Sequence, residues 1–134
     1  MQGFGHGLTV VSLGVLLGGM VFFAAITAPT VFARLPPETA GPFIRALFPR
    51  YYGFIVAMSA LAAIGLMLRG TMVTALVAVA IAAATLFLWL DWMPHLNALR
   101  DAGDQAGFAR GHRLSVWVNG VEMVVAFWVL VGVI

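Results

Sequence analysis

Cysteine and lysine are both missing from this chain of 134 residues, and charged residues of any kind make up only 9% of it. The absence of cysteine excludes disulfides, thiolate metal sites and cysteine nucleophiles. A soluble domain carries roughly 25% charged residues because its surface faces water. Since 63% of the residues are hydrophobic and the mean hydropathy is +1.05, lipid must be the main solvent of this protein.

The few basic residues also exclude a nucleic-acid partner. All seven are arginines, and the formal net charge is only +2. Nucleic-acid binding requires a clustered basic face, and no such cluster is present.

Four segments are long and apolar enough to cross a bilayer, which takes about 20 residues each. A first helix retained at the N-terminus is expected, because no basic residue precedes it and it is too long for a signal peptide. The pattern predicts an all-α, integral membrane four-helix bundle in a single domain, residues 1–134, with helices at about 8–32, 51–68, 71–92 and 114–134.

Arginine placement predicts the orientation of these helices. Six of the seven arginines fall in the first and third predicted loops, and only Arg69 falls on the opposite side. The positive-inside rule then places both termini outside the cytoplasm. Aromatic residues flank the same side, as interfacial residues do; these are Tyr51, Tyr52, Trp89 and Trp92. We expect a multi-pass protein of the bacterial inner (cytoplasmic) membrane.

The first loop contains a helical pattern of its own. Pro36 ends the first helix, and Pro37 with Glu38 suits the first turn of another. Apolar residues then recur at helical spacing, which predicts a short interfacial amphipathic helix at about 37–48. It would turn its apolar face to lipid or dock on the bundle; its residues include Phe43, Ile44, Arg45, Leu47 and Arg50.

The fourth predicted helix carries a polar stripe, here called the helix 4 stripe. His112, Ser115, Asn119 and Glu122 are spaced by 3, 4 and 3 residues and therefore share one face. Glu122 lies roughly 15 Å deeper than the first of them. A charge at that depth is costly, so Glu122 should face the bundle and be paired or protonated. The stripe is either a site for a proton, cation or solute, or a set of interhelical hydrogen bonds.

Other chemistry-bearing patterns are weak. Gly14 and Gly18 form a small-residue face in the first helix, predicted to pack within the bundle, with dimerisation as the alternative. No catalytic arrangement, metal site or phosphate-binding loop is present in the sequence, and no cofactor is predicted. His6 is at the opposite end from the other histidines, which argues against two axial haem ligands. Asp91 is expected to pair with Arg113 or His112.

Several short stretches together resemble one family. Phe32-Ala33-Arg34-Leu35-Pro36, Leu47-Phe48-Pro49-Arg50-Tyr51-Tyr52, Trp92-Met93-Pro94 and His112-Arg113-Leu114-Ser115 are similar to the transmembrane protein 205-like family of small four-helix membrane proteins. The resemblance implies a membrane protein with no established reaction or cofactor, and with animal members linked to tolerance of platinum drugs. His112, Ser115 and Asn119 fit the family pattern, and Glu122 does not.

Three functions follow as hypotheses. The first is a non-enzymatic accessory or structural subunit, or packing partner, in a membrane complex, with the bilayer and other subunits or a second copy as partners. The alternative is a protein that handles a small solute, metal or proton through the helix 4 stripe. The second alternative is a haem-binding redox protein.

Overall fold

Four long helices make up almost all of the computed structural model, which describes residues 1–134. They are α1 (Gln2–Arg34), α2 (Pro37–Leu68), α3 (Met72–Asp101) and α4 (Gln105–Val133), and each is long and apolar enough to cross a membrane. There are no strands. The predicted all-α bundle is confirmed, and the chain is a multi-pass membrane protein.

The connections between the helices are two or three residues long. Pro36 is extended, Pro37 occupies the first turn of α2, and Glu38 follows it, as predicted. The other two turns each contain a glycine with positive φ, Gly70 at 77° and Gly103 at 78°, a conformation that costs glycine nothing. Asp104 then caps α4 by accepting a hydrogen bond from the backbone N–H of Gly107 at 2.9 Å. Successive helices therefore run in opposite directions.

These turns define two ends of the bundle. The hairpin end holds both chain termini and the turn at Arg69-Gly70. The arginine end holds the other six arginines, at the end of α1, the start of α2, the end of α3 and the start of α4.

The prediction of a separate interfacial helix is wrong in one respect. Residues 37–48 are helical, but they are the first part of α2, which continues without a break to Leu68 although Pro42 and Pro49 lie inside it. Ile44 is buried against the bundle, Leu47 is half-buried and Phe43 is exposed. The apolar stripe continues in phase into the buried residues Tyr51 and Ile55, so it is the near end of the core face of α2.

Helices α3 and α4 are likewise longer than the sequence predicts. Trp92-Met93-Pro94 does not end α3, because a π-helical turn, Leu88–Trp92, precedes the proline and places it in the first turn of the next α-helical segment. The arginines expected in a long third loop, Arg100, Arg110 and Arg113, therefore lie on helices. The 30 residues of α3 span about 45 Å, against a hydrocarbon core of ~30 Å, so α3 projects beyond the hydrocarbon.

Glycine contacts bring α1 and α2 together at the hairpin end. A Cβ atom at Gly65 would lie 2.9 Å from the carbonyl oxygen of Gly5 and 2.8 Å from the backbone nitrogen of Thr9. The prediction that Gly14 and Gly18 pack within the bundle is wrong, because both are exposed, with nothing within 4 Å of a Cβ at either position. They lie on the outer face of α1, because the core face is taken by Leu13, Leu16 and Met20. The alternative, dimerisation through this face, stays a prediction.

Candidate functional site

A cavity of about 910 Å³ opens at the arginine end, and we call it the amphipathic cavity. All four helices line it. Its apolar wall comes from all four helices, and includes Phe23, Ala24, Ala28, Phe32, Phe48, Met93, Leu96, Val116, Gly120 and Met123. Its polar side chains lie mainly towards the helix ends, and include Arg45, Asn97, Arg100, Gln105 and His112.

Aromatic side chains hold α1 and α2 together beside the cavity. The ring of Phe23 stacks on that of Tyr51 with centroids 4.1 Å apart, and Phe48 meets Phe23 edge-on at 5.5 Å. Phe23 begins a π-helical turn, Phe23–Thr27, and Met93 directly follows the π-helical turn of α3. Such turns occur frequently at functional sites, where they redirect side chains. Both π-helical turns of this protein therefore adjoin the amphipathic cavity.

The burial of the two tyrosines corrects one expectation. Tyr51 and Tyr52 are only 7% and 4% exposed, so they are core residues that line the cavity and not aromatic anchors at the membrane interface. Trp92 is half-buried, and its indole N–H donates to the carbonyl oxygen of Gly111 at 3.0 Å. That bond joins α3 to the first part of α4.

The helix 4 stripe is divided between two environments. His112, Ser115 and Asn119 line the amphipathic cavity, whereas Glu122 does not. The hydroxyl of Tyr51 donates to Oδ1 of Asn119 at 2.9 Å. The Nδ2 atom of Asn119 is buried and has no hydrogen-bond partner. Because a buried amide N–H group without a hydrogen-bond partner costs free energy, Asn119 is a candidate to bind a ligand oxygen.

Glu122 is buried and contacts a hydroxyl of α3. Its two carboxyl oxygens lie 3.0 and 3.1 Å from Oγ1 of Thr85, which is also 2.9 Å from the carbonyl oxygen of Ile81. A threonine hydroxyl has one proton, so a Thr85 that donates to Ile81 can only accept from Glu122. The geometry therefore suits a neutral Glu122 that bonds one helix to the next.

Sequence reasoning missed Thr85, although a signal was available. Thr85 is the only polar residue in α3 between Ala75 and Leu90, and an isolated hydroxyl in an apolar helix is typical of an interhelical contact. Its pairing with Glu122 depends on the rotation of α3 against α4, which periodicity does not fix.

Two arginines line the cavity, and they are held differently. Arg45 makes a bidentate ion pair with Asp101, both N···O distances being 3.0 Å. The guanidinium of Arg100 lies 5.5 Å from the ring centroid of Phe108. Gly41 leaves room for it, since a Cβ atom there would lie 2.6 Å from a guanidinium nitrogen of Arg100. Arg50 is exposed and does not line the cavity.

The remaining expectations concern acidic and metal-ligating groups. The expected pairing of Asp91 with Arg113 or His112 is wrong: Asp91 is exposed, and the one ion pair of the chain is Arg45–Asp101. No group of three or more His, Asp or Glu side chains is placed to hold a metal ion. His95 lies against Trp92, and His112 stacks on Phe108 with centroids 5.8 Å apart.

Comparison with known proteins identifies the family of this chain but shows no activity for it. No curated protein and no solved structure matches the chain. One family model, a domain of unknown function (DUF4149), matches residues 11–105. The match covers most of α1, all of α2 and α3, and the turn after them, whereas nearly all of α4 lies outside it. The chain therefore belongs to the DUF4149 family.

Proposed function

We propose that this protein binds an amphiphilic small molecule from the membrane in the amphipathic cavity. The observation that carries the proposal is the composition of the cavity wall: its only charged side chains, Arg45 and Arg100, lie near the helix ends, and most of the remaining wall is apolar. Its volume of about 910 Å³ lies within the usual range of small-molecule sites. This is the solute-handling alternative from the sequence, with no enzymatic step.

The buried amide of Asn119 supports the proposal. A ligand oxygen in the cavity would accept the hydrogen bond that Nδ2 does not make within the chain. Ser115 also lines the cavity; its hydroxyl makes a long bond of 3.4 Å to the carbonyl oxygen of Gly111 and contacts the side chain of Tyr52. Both residues belong to the helix 4 stripe, so the function proposed here uses three of its four members and assigns Glu122 to helix packing.

Photolabelling would test this proposal. The protein would be reconstituted in nanodiscs with phosphatidylglycerol or, in parallel, phosphatidylcholine carrying a diazirine on the acyl chain. Labelled residues would then be mapped by mass spectrometry. We expect labelling inside the cavity, at Phe23, Tyr51 or Asn119, in addition to the outer surface.

Two matched variants make the test specific. Gly120 lines the cavity and Gly14 faces outward, and at both positions a Cβ atom would meet open space. Gly120→Phe should suppress labelling inside the cavity, whereas Gly14→Phe should leave it unchanged. Labelling confined to outward-facing residues in the wild-type protein would contradict the proposal.

An accessory-subunit role is retained as a second proposal because of α1. Gly14 and Gly18 are exposed on its outer face, where small residues permit a helix of another chain to approach closely. The resemblance to the transmembrane protein 205-like family is compatible with either role. A native gel in mild detergent, followed by mass spectrometry of co-migrating chains, would test it; migration as a single chain would contradict it.

A further inference from the structure

The amphipathic cavity carries an uncompensated positive charge at its outer end. Arg45 and Arg100 are the only arginines that line it, and no Asp or Glu lines it. Arg45 is neutralised by Asp101, whose two carboxylate oxygens are both taken. Arg100 makes no ion pair. The net effect is one guanidinium available to a ligand.

Two neighbours contact that guanidinium, although Arg100 as a whole is exposed. It lies 5.5 Å from the ring centroid of Phe108 and against the backbone of α2 at Gly41. Cation–π contact and close backbone approach both restrict a side chain that would otherwise be mobile. Asn97 and Gln105 line the cavity as well and supply amide N–H groups. Planar guanidinium and amide donors together are suited to phosphate oxygens.

Arg100 lies outside the hydrocarbon core, on the side of the lipid headgroups. Arg100 is next to the last residue of α3, and α3 is about 15 Å longer than the hydrocarbon core is thick. The excess length lies at the arginine end, because α3 begins with apolar residues directly after the tight turn at Gly70. The apolar part of the cavity then extends from this level into the bilayer.

We propose that the amphipathic cavity selects an anionic amphiphile, with its phosphate headgroup bound by Arg100 and its apolar chain along α1 and α4. This inference rests on the function proposed above and adds the charge of the ligand. A free phosphate ion would use the guanidinium but not the apolar wall, so the lipid headgroup is the source of the phosphate that the whole cavity fits.

Native mass spectrometry of the detergent-solubilised protein would test this proposal. Phosphatidylglycerol and phosphatidylcholine would be titrated separately, and the fraction of one-to-one complex measured. We expect phosphatidylglycerol to bind the wild-type protein about fivefold more tightly, the effect of about one arginine near an anionic headgroup. Arg100→Gln should abolish this preference, and Arg100→Lys should keep part of it.

Arg110 provides the matched control. It is an exposed arginine at the same end of the bundle and does not line the cavity, so Arg110→Gln should leave the preference unchanged. Thermal stability in detergent would be measured for every variant. If Arg100→Gln does not fold, Arg100→Lys still tests the proposal. Because lysine keeps the positive charge, this variant should still bind phosphatidylglycerol more tightly than phosphatidylcholine. If the folded Arg100→Lys variant binds both lipids equally, the positive charge of Arg100 is not the cause of the selectivity, and the charge argument is overturned.

The other outcomes separate this inference from the function on which it rests. Equal binding of both lipids by the wild-type protein would overturn the anionic selectivity and leave the amphiphile site intact. Failure of both lipids to bind would overturn the amphiphile site as well. If millimolar inorganic phosphate displaces phosphatidylglycerol, Arg100 binds a free phosphate ion, and the proposal that it binds a lipid headgroup is overturned.

Discussion

Helices α1 and α2 contact each other towards both the hairpin end and the arginine end, but through residues of very different size. At the hairpin end, Gly5 and Gly65 bring the two backbones so close that a Cβ atom at either position would collide with the other chain segment. At the arginine end, the facing residues are aromatic, and Phe23 stacks on Tyr51. The contact between α1 and α2 is therefore close at the hairpin end, where a cavity of about 400 Å³ lies between α2, α3 and α4. The amphipathic cavity of about 910 Å³ lies at the arginine end.

This difference shows how a small membrane bundle can combine stability with a site. Helix association in lipid gains little from the hydrophobic effect and depends on close packing and hydrogen bonds. The glycine contact supplies close packing at one end. The bond between Thr85 and Glu122 adds a polar contact between α3 and α4. Wide side chains can then separate the helices elsewhere and leave room for a ligand.

The largest expected effect concerns which end faces the cytoplasm. We predict that the arginine end does, because six arginines lie there against one at the hairpin end. Alkaline phosphatase fused after Ile134 should then be active, and a fluorescent protein at the same site should not fluoresce. The reverse pattern would exchange the assignments of the two ends and place the amphipathic cavity on the extracytoplasmic side.

The second prediction tests the packing difference along α1 and α2. Gly65→Ala should destabilise the protein by about 1–3 kcal/mol, because its Cβ meets backbone atoms that cannot rotate away. Gly14→Ala faces open space and should be neutral, or stabilising by up to about 1 kcal/mol through helix propensity. Equilibrium unfolding in mixed micelles would measure both. Equal effects of the two substitutions would mean that the glycine contact does not hold this end together.

The smallest expected effect concerns the bond between α3 and α4. Thr85→Val should cost about 1 kcal/mol, because it leaves the carboxyl of Glu122 without its partner. Thr74→Val is the control, since the Thr74 hydroxyl bonds only to the carbonyl oxygen of Thr71, the N-cap residue of α3, and to no other helix. Glu122→Gln should keep the stability within about 0.5 kcal/mol, since glutamine can also donate to a hydroxyl.

A double-mutant cycle would complete this third test. Thr85→Val and Glu122→Leu, alone and together, should show a coupling energy of about 1 kcal/mol in the same unfolding assay. A coupling energy near zero would mean that the bond to Thr85 does not stabilise the bundle. A loss of stability with Glu122→Gln as large as with Glu122→Leu would indicate that an ionised carboxylate, and not a neutral one, is needed.

Composition and hydropathy were sufficient to predict the class of this protein. A chain with 9% charged residues cannot cover itself with polar groups, and four apolar runs of sufficient length must cross the bilayer as helices, because lipid offers the backbone no hydrogen-bond partners. Local signals also predicted that a helix begins at Pro37, although as a separate interfacial helix and not as the first part of α2, and that the second and third helices are divided at Arg69-Gly70. These features depend on residues close together in the sequence.

The contacts between helices were decided only by the tertiary structure. Periodicity placed Glu122 on the same polar face as Asn119. The rotation of α3 determines that Glu122 contacts Thr85, whereas Asn119 lines the cavity. The same holds for glycine: Gly14 and Gly18 have the spacing of a packing motif, yet Gly5 and Gly65 make the contact. Spacing along one helix defines a face, whereas the neighbour of that face depends on how all four helices pack, because the lipid-facing and core-facing sides of a membrane helix are both apolar.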